Sequence, residues 1–145
     1  MKGFSIELDG FQEVLTKLAK EGGKIAEDID DEIAAGVRNM EKSAKRLAPV
    51  NTGKGRLRSS ITASRNAFLN WELSANVGYA PYIEFGTGGL VDVPKGLEQY
   101  AIQFKGKGIR QVNLPARPFF FPSVFAYQVE IVKNIREIIR REKRI

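Results

Sequence analysis

Closely spaced carboxylates are the residues in this sequence whose type and spacing come nearest to chemistry. Glu27 and Asp31 are four residues apart, as are Asp28 and Glu32, so each pair lies one helical turn apart. Such pairs can exchange protons or hold Mg²⁺. They also crowd the start of a predicted helix, where acidic side chains complement the positive end of the helix dipole. We favour this second interpretation and predict no catalytic residue and no metal site.

Other chemistries are limited by composition. The 145 residues contain no histidine and no cysteine, which excludes Ser-His-Asp and Cys-His mechanisms, thiolate metal sites and disulfides. Two glycine-rich stretches, residues 53–55 and 86–89, lack the remaining positions of a phosphate-binding or dinucleotide-binding loop. The sequence therefore predicts a protein without a cofactor that is not an enzyme.

The spacing of apolar residues predicts three helices. One begins after Asp9 and ends at Gly22, and a longer one runs from Lys24 to Leu47, before Pro49. A last helix runs from about Pro122 to Lys143, with an apolar stripe on one side and basic residues on the other.

Alternating apolar and polar residues predict the strands. Residues 4–8 form a first strand, residues 57–63 and 69–77 a hairpin around a turn near Arg65, and residues 100–104 and 110–114 a second hairpin. Helices and strands in separate runs indicate an α+β fold. We expect a single domain over residues 1–145, with an antiparallel sheet of about four to five strands. It would pack against two N-terminal helices and one long C-terminal helix.

Charge is distributed unevenly along the chain. Residues 1–32 hold four Lys against nine Asp or Glu, whereas the rest of the chain is strongly basic and brings the net charge to +6. This asymmetry can orient subunits against one another or attract a nucleic acid. The basic face of the last helix favours a solvated or subunit-contacting surface, and a small basic DNA-binding module remains the alternative. We expect no signal peptide, no membrane contact and synthesis in the cytoplasm.

Three segments carry a more specific signal. Residues 47–53 read L-A-P-V-N-T-G and are followed by L-R-S-S-I at 57–61; residues 78–88 read G-Y-A-P-Y-I-E-F-G-T-G; residues 115–122 read P-A-R-P-F-F-F-P. In order and spacing they resemble the head–tail joining, or tail-completion, proteins of long-tailed phages and prophages. Lys54 and Gly55 look inserted relative to the family pattern.

The resemblance implies a structural virion component at the neck or tail, made in the bacterial host cytoplasm. It implies a homo-oligomeric ring, other phage neck or tail proteins as partners, and a possible non-specific contact with DNA in the channel. The candidate interface and motif residues are Asn51, Thr52, Gly53, Leu57, Arg58, Tyr79, Tyr82, Glu84, Phe85, Gly86, Thr87, Arg117, Phe119 and Phe120.

Two hypotheses concern charged and aromatic residues within these motifs. Glu84 is an isolated charge in an apolar segment, so we expect it to pair with Arg117 or with Arg58. Residues 119–121 are three consecutive phenylalanines, most of which belong in a core. Because a run of three cannot place every ring on one face of a strand, one ring is available to contact a partner. We weigh a role in the core alone and a role in core and interface about equally.

Overall fold

A computed structural model describes residues 4–7, 20, 23–50, 55–86, 95–98 and 115–143. In this part of the chain the elements follow the order strand, two helices, two strands, two helices. We label them β1 (Phe4–Glu7), α1 (Lys24–Leu47), α2 (Arg56–Ser60), β2 (Ile61–Ala67), β3 (Asn70–Ala75), α3 (Ala80–Phe85) and α4 (Phe121–Lys143).

Helix α1 has the bounds predicted from the sequence. Its apolar residues recur every three or four positions and are buried along one side, whereas Pro49 prevents continuation beyond Ala48. Ile29, Val37 and Met40 are each at most 1% exposed. The amphipathic pattern therefore placed the central helix of the fold correctly.

The sheet is antiparallel, with strand order β1-β3-β2. Phe4 pairs with Ala75 across β1 and β3, and Ile61 pairs with the same residue from the other side. The α+β class is confirmed. The predicted four to five strands are not supported, since the described residues form three. The predicted second hairpin, at residues 100–114, and the helix after Asp9 lie outside the described residues, apart from the helical Lys20.

The first hairpin differs from its prediction at both its start and its turn. Residues 57–60, predicted as strand, belong to the short helix α2, in which the Ser59 and Ser60 hydroxyls donate to the carbonyls of Arg56 and Leu57. Local hydroxyl bonds of this kind compete with a sheet ladder. The turn lies between β2 and β3, at Phe68 and Leu69, three residues later than the predicted turn near Arg65 and Asn66.

Helix α4 begins one residue before its predicted start and packs antiparallel to α1. Ser123 bonds to Ser43 near one end of the pair, and the Asn134 amide donates to Glu32 near the other, at 2.9 and 2.7 Å. Between them Gly36 faces Ile131 so closely that any side chain at position 36 would overlap it. A glycine thus permits the close approach of the two longest described helices.

Helix α1 packs against β2 and β3 of the sheet on one side and against α4 on another. Apolar residues from α1, α4, the sheet and the phenylalanine run form one core cluster, which also includes Leu97. No described helix is long and apolar enough to cross a membrane.

Candidate functional site

The buried carboxylate of Glu84 joins two of the three sequence motifs. One of its oxygens accepts the backbone N–H groups of Phe119 and Phe120, at 2.8 and 2.9 Å, and the other accepts that of Phe121, at 3.1 Å. Glu84 is 2% exposed. One side chain therefore binds the residues that lead into α4, where helix N–H groups lack partners within the helix.

Helix α3 holds Glu84 in position. Pro81 occupies its first turn, where a proline fits because its fixed φ suits a helix start. Gly86 ends it with φ 80° and ψ −174°, a conformation open essentially only to glycine, and its N–H donates to the Tyr82 carbonyl. The Pro81 signal was present in the sequence, but we did not predict this helix from it.

A backbone bond secures the same junction. The N–H of Arg117 donates to the carbonyl of Ile83 at 2.8 Å, next to the Glu84 contacts. Both motifs are therefore joined by main-chain groups as well as by a carboxylate, which fixes the start of α4 on α3.

Burial and hydrogen bonding act on the Glu84 carboxyl in opposite directions. Burial disfavours the charged form and raises its pKa, while the N–H groups of Phe120, Phe119 and Phe121 lower it. The net effect is a pKa above its ordinary value. The folded chain consequently binds the Glu84 proton more tightly than an exposed glutamate would.

The predicted pairing of Glu84 with Arg117 or Arg58 is wrong. Within the described residues, neither arginine forms an ion pair with Glu84, and both side chains are exposed. The carboxylate oxygens are instead occupied by backbone donors, which a sequence does not display. Arg117 contributes its main chain, not its guanidinium, to the contact.

Of the two alternatives for the phenylalanine run, the structure supports a role in the core alone. Phe119 and Phe120 are fully buried and Phe121 is 3% exposed. Because the chain passes from an extended stretch into α4 at this point, the three rings need not alternate as in a strand. They pack edge-to-face on one another, with centroids 6.3 and 5.5 Å apart, and Phe121 also contacts Phe85 at 5.8 Å.

The remaining candidate residues divide into buried and exposed groups. Leu57 and Phe85 lie in the core, at 4% and 1% exposure. Tyr82 is half-buried, whereas Arg58, Tyr79 and Arg117 are exposed. Asn51, Thr52, Gly53 and Thr87 lie outside the described residues.

Asp30 is a second buried carboxylate, and sequence reasoning missed it. Its Oδ1 accepts the N–H of Leu69 at 2.8 Å and the indole N–H of Trp71 at 3.1 Å, while its Oδ2 lies 3.4 Å from Arg65. Leu69 has φ 62°, a strained conformation for leucine. Asp30 thus holds the β2–β3 turn against α1. Its place on the apolar side of α1, next to Ile29, was the available signal.

Both carboxylates therefore serve architecture. Each is occupied by backbone or indole donors, and the described residues contain no group of three or more His, Cys, Asp or Glu able to hold a metal ion. What the site offers is a junction between the second and third motifs, on which Tyr79 and Arg117 are exposed; Arg58 is exposed on the first motif.

A family of known proteins matches this chain. The family described as "Bacteriophage HK97-gp10, putative tail-component" matches residues 9–86, more than half of the chain. The matched region includes α1, the β2–β3 hairpin and the Tyr79–Gly86 motif. No curated protein and no solved structure matches the chain. The chain belongs to the HK97-gp10-like family of phage tail components.

Proposed function

We propose that this protein is a structural subunit at the head–tail junction or the tail end of a virion. It acts by assembling into a ring with portal-side or tail-tube partners, and catalyses no reaction. The observation that carries the proposal is the family match over residues 9–86. The three motif segments, in the order expected of head–tail joining and tail-completion proteins, support the finer assignment.

The motif residues fall into a buried group and an exposed group, and we assign the two groups different roles. Glu84, Leu57, Phe85, Phe119 and Phe120 are buried and maintain the fold. Arg58, Tyr79 and Arg117 project from the same segments and contact neighbouring copies or partner proteins. Tyr79 is 42% exposed, and a large, partly exposed aromatic side chain is typical of an interface anchor.

The test is removal of the protein from the phage that encodes it. We expect filled heads and tails that remain separate, or tails of abnormal length, with infectivity restored by the wild-type chain supplied in trans. Virions that lack the protein yet carry firmly attached, infectious tails would refute the proposal.

Point variants then examine the exposed residues. Complementation with Arg58→Ala, Tyr79→Ala or Arg117→Ala should restore fewer infectious particles than the wild type, although each variant folds normally by circular dichroism. Native mass spectrometry of the chain mixed with tail-tube or portal protein should show a ring for the wild type and fewer rings for these variants. Full complementation by all three would leave them without an assembly role.

A DNA-binding module remains the second candidate because one described surface is strongly basic. The two candidates differ in what the isolated chain does. A tail subunit assembles with phage proteins, whereas a free-standing module binds DNA tightly by itself, with a steep dependence on salt.

A further inference from the structure

The solvent-facing ridge of α1 changes sign along the helix. At 100° per residue, its charged positions fall within a sector of about 100°, opposite the buried side. Beyond Lys24, the first half of this ridge carries Glu27, Asp28 and Asp31, whereas the second half carries only basic charges, Arg38, Lys42, Lys45 and Arg46. We call the second group the basic ridge.

The acidic half of α1 is matched within the same chain. Because α1 and α4 are antiparallel, the basic end of α4 lies beside the acidic start of α1. Asp28, Asp31 and Glu32 line one surface pocket together with Ile138 and Arg141 of α4. Of the basic residues of α4, Arg141 therefore lies beside opposite charge.

Among the described residues, the basic ridge forms one ion pair, between Lys45 and Glu41. Between residues 33 and 71 the sequence contains one acidic residue, Glu41. Its carboxylate accepts the Lys45 ammonium and the Ala63 N–H, each at 2.7 Å. Burial raises the pKa of Glu41, but these two bonds and the charges of Lys45 and Arg38 outweigh it, so the pKa lies below its ordinary value. Glu41 is thus ionised at neutral pH, and its carboxylate is already bonded to Lys45 and to the backbone of β2.

Neighbouring elements extend the positive surface. Arg38 lies 5.4 Å over the Trp71 ring, which ties the ridge to the sheet, and Arg65 of β2 is 47% exposed although it lies 3.4 Å from Asp30. Arg56 and Arg58 are exposed on α2, which packs against α1. The positive charge thus continues from one helix onto the adjoining strand and the short helix.

The composition of this surface favours phosphate over protein. Interfaces between proteins are enriched in arginine but depleted in lysine, and they centre on apolar or aromatic residues. All four ridge positions here are Lys or Arg. Lys and Arg are among the side chains that contact nucleic-acid phosphates. Arg38 and Arg46 are eight residues apart, so the ridge spans about 12 Å, or three to four base pairs of duplex.

We propose that the basic ridge binds the phosphate backbone of duplex DNA without reading its sequence. The basic face of α4, the surface that the sequence alone suggested, has no such role. The contact does not require the assembly proposed above, since it belongs to the surface of a single chain.

The experiment measures binding of the full chain to two duplexes of unrelated sequence by fluorescence anisotropy over a series of salt concentrations. The ridge variant is Lys42→Gln/Arg46→Gln, which spares Arg38 over Trp71 and Lys45 on Glu41. The matched control is Arg136→Gln/Arg140→Gln, which removes the same charge from exposed positions of α4.

We expect the wild type to bind both duplexes equally, with affinity falling steeply as salt rises. The ridge variant should lower the slope of log K against log salt by about 0.9 for each phosphate that it no longer neutralises, and the α4 control should match the wild type. Neither variant should melt below the wild type.

Three results would overturn the proposal: no binding by the wild type, equal losses of affinity in the two variants, or polyglutamate competing as well as DNA at equal charge. The last would assign the ridge to an acidic protein surface. If the protein is required for tail completion but does not bind DNA, the proposed DNA contact of the ridge is refuted and the assembly role stands. If the protein binds DNA but infectious virions form without it, the assembly role is refuted and the DNA contact stands.

Discussion

At the scale of single residues, Glu84 caps the start of α4, although a capping residue usually lies next to the helix in sequence. The first N–H groups of a helix have no carbonyl partner in their own helix, and a neighbouring Ser, Thr, Asp or Asn commonly accepts them. Here the acceptor lies 35 to 37 residues earlier in the chain. The capping contact therefore also attaches α4 to α3.

Removing this carboxylate should be costly. Glu84→Ala takes one acceptor from three N–H groups in the core, and we expect a loss of about 2–4 kcal/mol in the free energy of unfolding, measured with urea. The control is Glu72→Ala, since Glu72 is half-buried and bonded only to the exposed Asn66 amide among the described residues. Equal effects of the two substitutions would show that the Glu84 contacts contribute little.

The same group predicts a dependence of stability on pH. Because the pKa of Glu84 is raised in the folded state, the proton is held more tightly there than in the unfolded chain. Its contribution is fully present below the unfolded pKa, near 4.5, and declines as pH rises through the folded pKa. The difference in unfolding free energy between wild type and Glu84→Ala should thus be larger below pH 4.5 than at neutral pH. If the stability difference between the two proteins instead increased with pH, folding would lower the pKa of Glu84 and not raise it.

Asp30 can be followed with an internal reporter, since Trp71 is the single tryptophan of the chain. Asp30→Ala removes the acceptor of the Trp71 indole and of the strained Leu69 N–H. We expect a loss of about 1–3 kcal/mol and a change in native tryptophan emission. Asp31→Ala, at an exposed neighbouring position, is the control. Unchanged emission in Asp30→Ala would argue against the hydrogen bond to the indole.

Sequence reasoning identified Glu84 but not its partners, and the cause is general. A side chain is visible in a sequence, whereas backbone N–H groups at a particular place in space are not. Arg117 was the natural choice of partner because it is charged and lies two residues before the true donors. Asp30 was missed because an acidic residue near a helix start already has a sufficient explanation in the helix dipole.

At the scale of elements, periodicity located the two long helices and the strand at residues 4–7. It failed where a local feature overrode the pattern. Leu57, Ser59 and Ile61 alternate with polar residues, as in a strand. Residues 57–60 nevertheless belong to the short helix α2, in which serine hydroxyls donate to backbone carbonyls. The turn was misplaced because Leu69 has a positive φ that leucine rarely adopts and that Asp30, 39 residues away, supports.

The α1–α4 packing depends on the absence of a side chain at position 36. Gly36→Ala should improve helix propensity by about 1 kcal/mol, but the new methyl group would overlap Ile131, which is 3% exposed. We expect a net loss of about 1–2 kcal/mol in urea unfolding. Asn39→Ala, exposed on the same helix, should be neutral or stabilising.

A double-mutant cycle isolates this contact. Ile131→Ala alone leaves a cavity, whereas in combination with Gly36→Ala it makes room for the added methyl group. The double variant should therefore lose less stability than the sum of the single variants. Strict additivity would show that α1 and α4 separate easily and that the glycine is not required for their approach.

At the scale of the whole molecule, the separation of charge noted in the sequence takes a different form in three dimensions. The acidic start of the chain and its basic end suggested complementary ends of neighbouring subunits. Instead, the acidic half of α1 lies beside the basic end of α4 in one chain. Among the described residues, the basic ridge has four like charges close together on the solvent side of α1.

This arrangement predicts that salt stabilises the isolated chain. Raising the ionic strength from about 0.01 M to 0.1 M shortens the Debye length from about 30 Å to 10 Å and screens repulsion within the ridge. We expect the unfolding free energy in urea to rise by about 0.5 kcal/mol. Lys42→Gln/Arg46→Gln should flatten this response, because it removes half of the four ridge charges, whereas Arg136→Gln/Arg140→Gln should not. A fall in stability with added salt would mean that attraction between the acids of α1 and Arg141 outweighs the repulsion, and would leave less unbalanced charge to attract a polyanion.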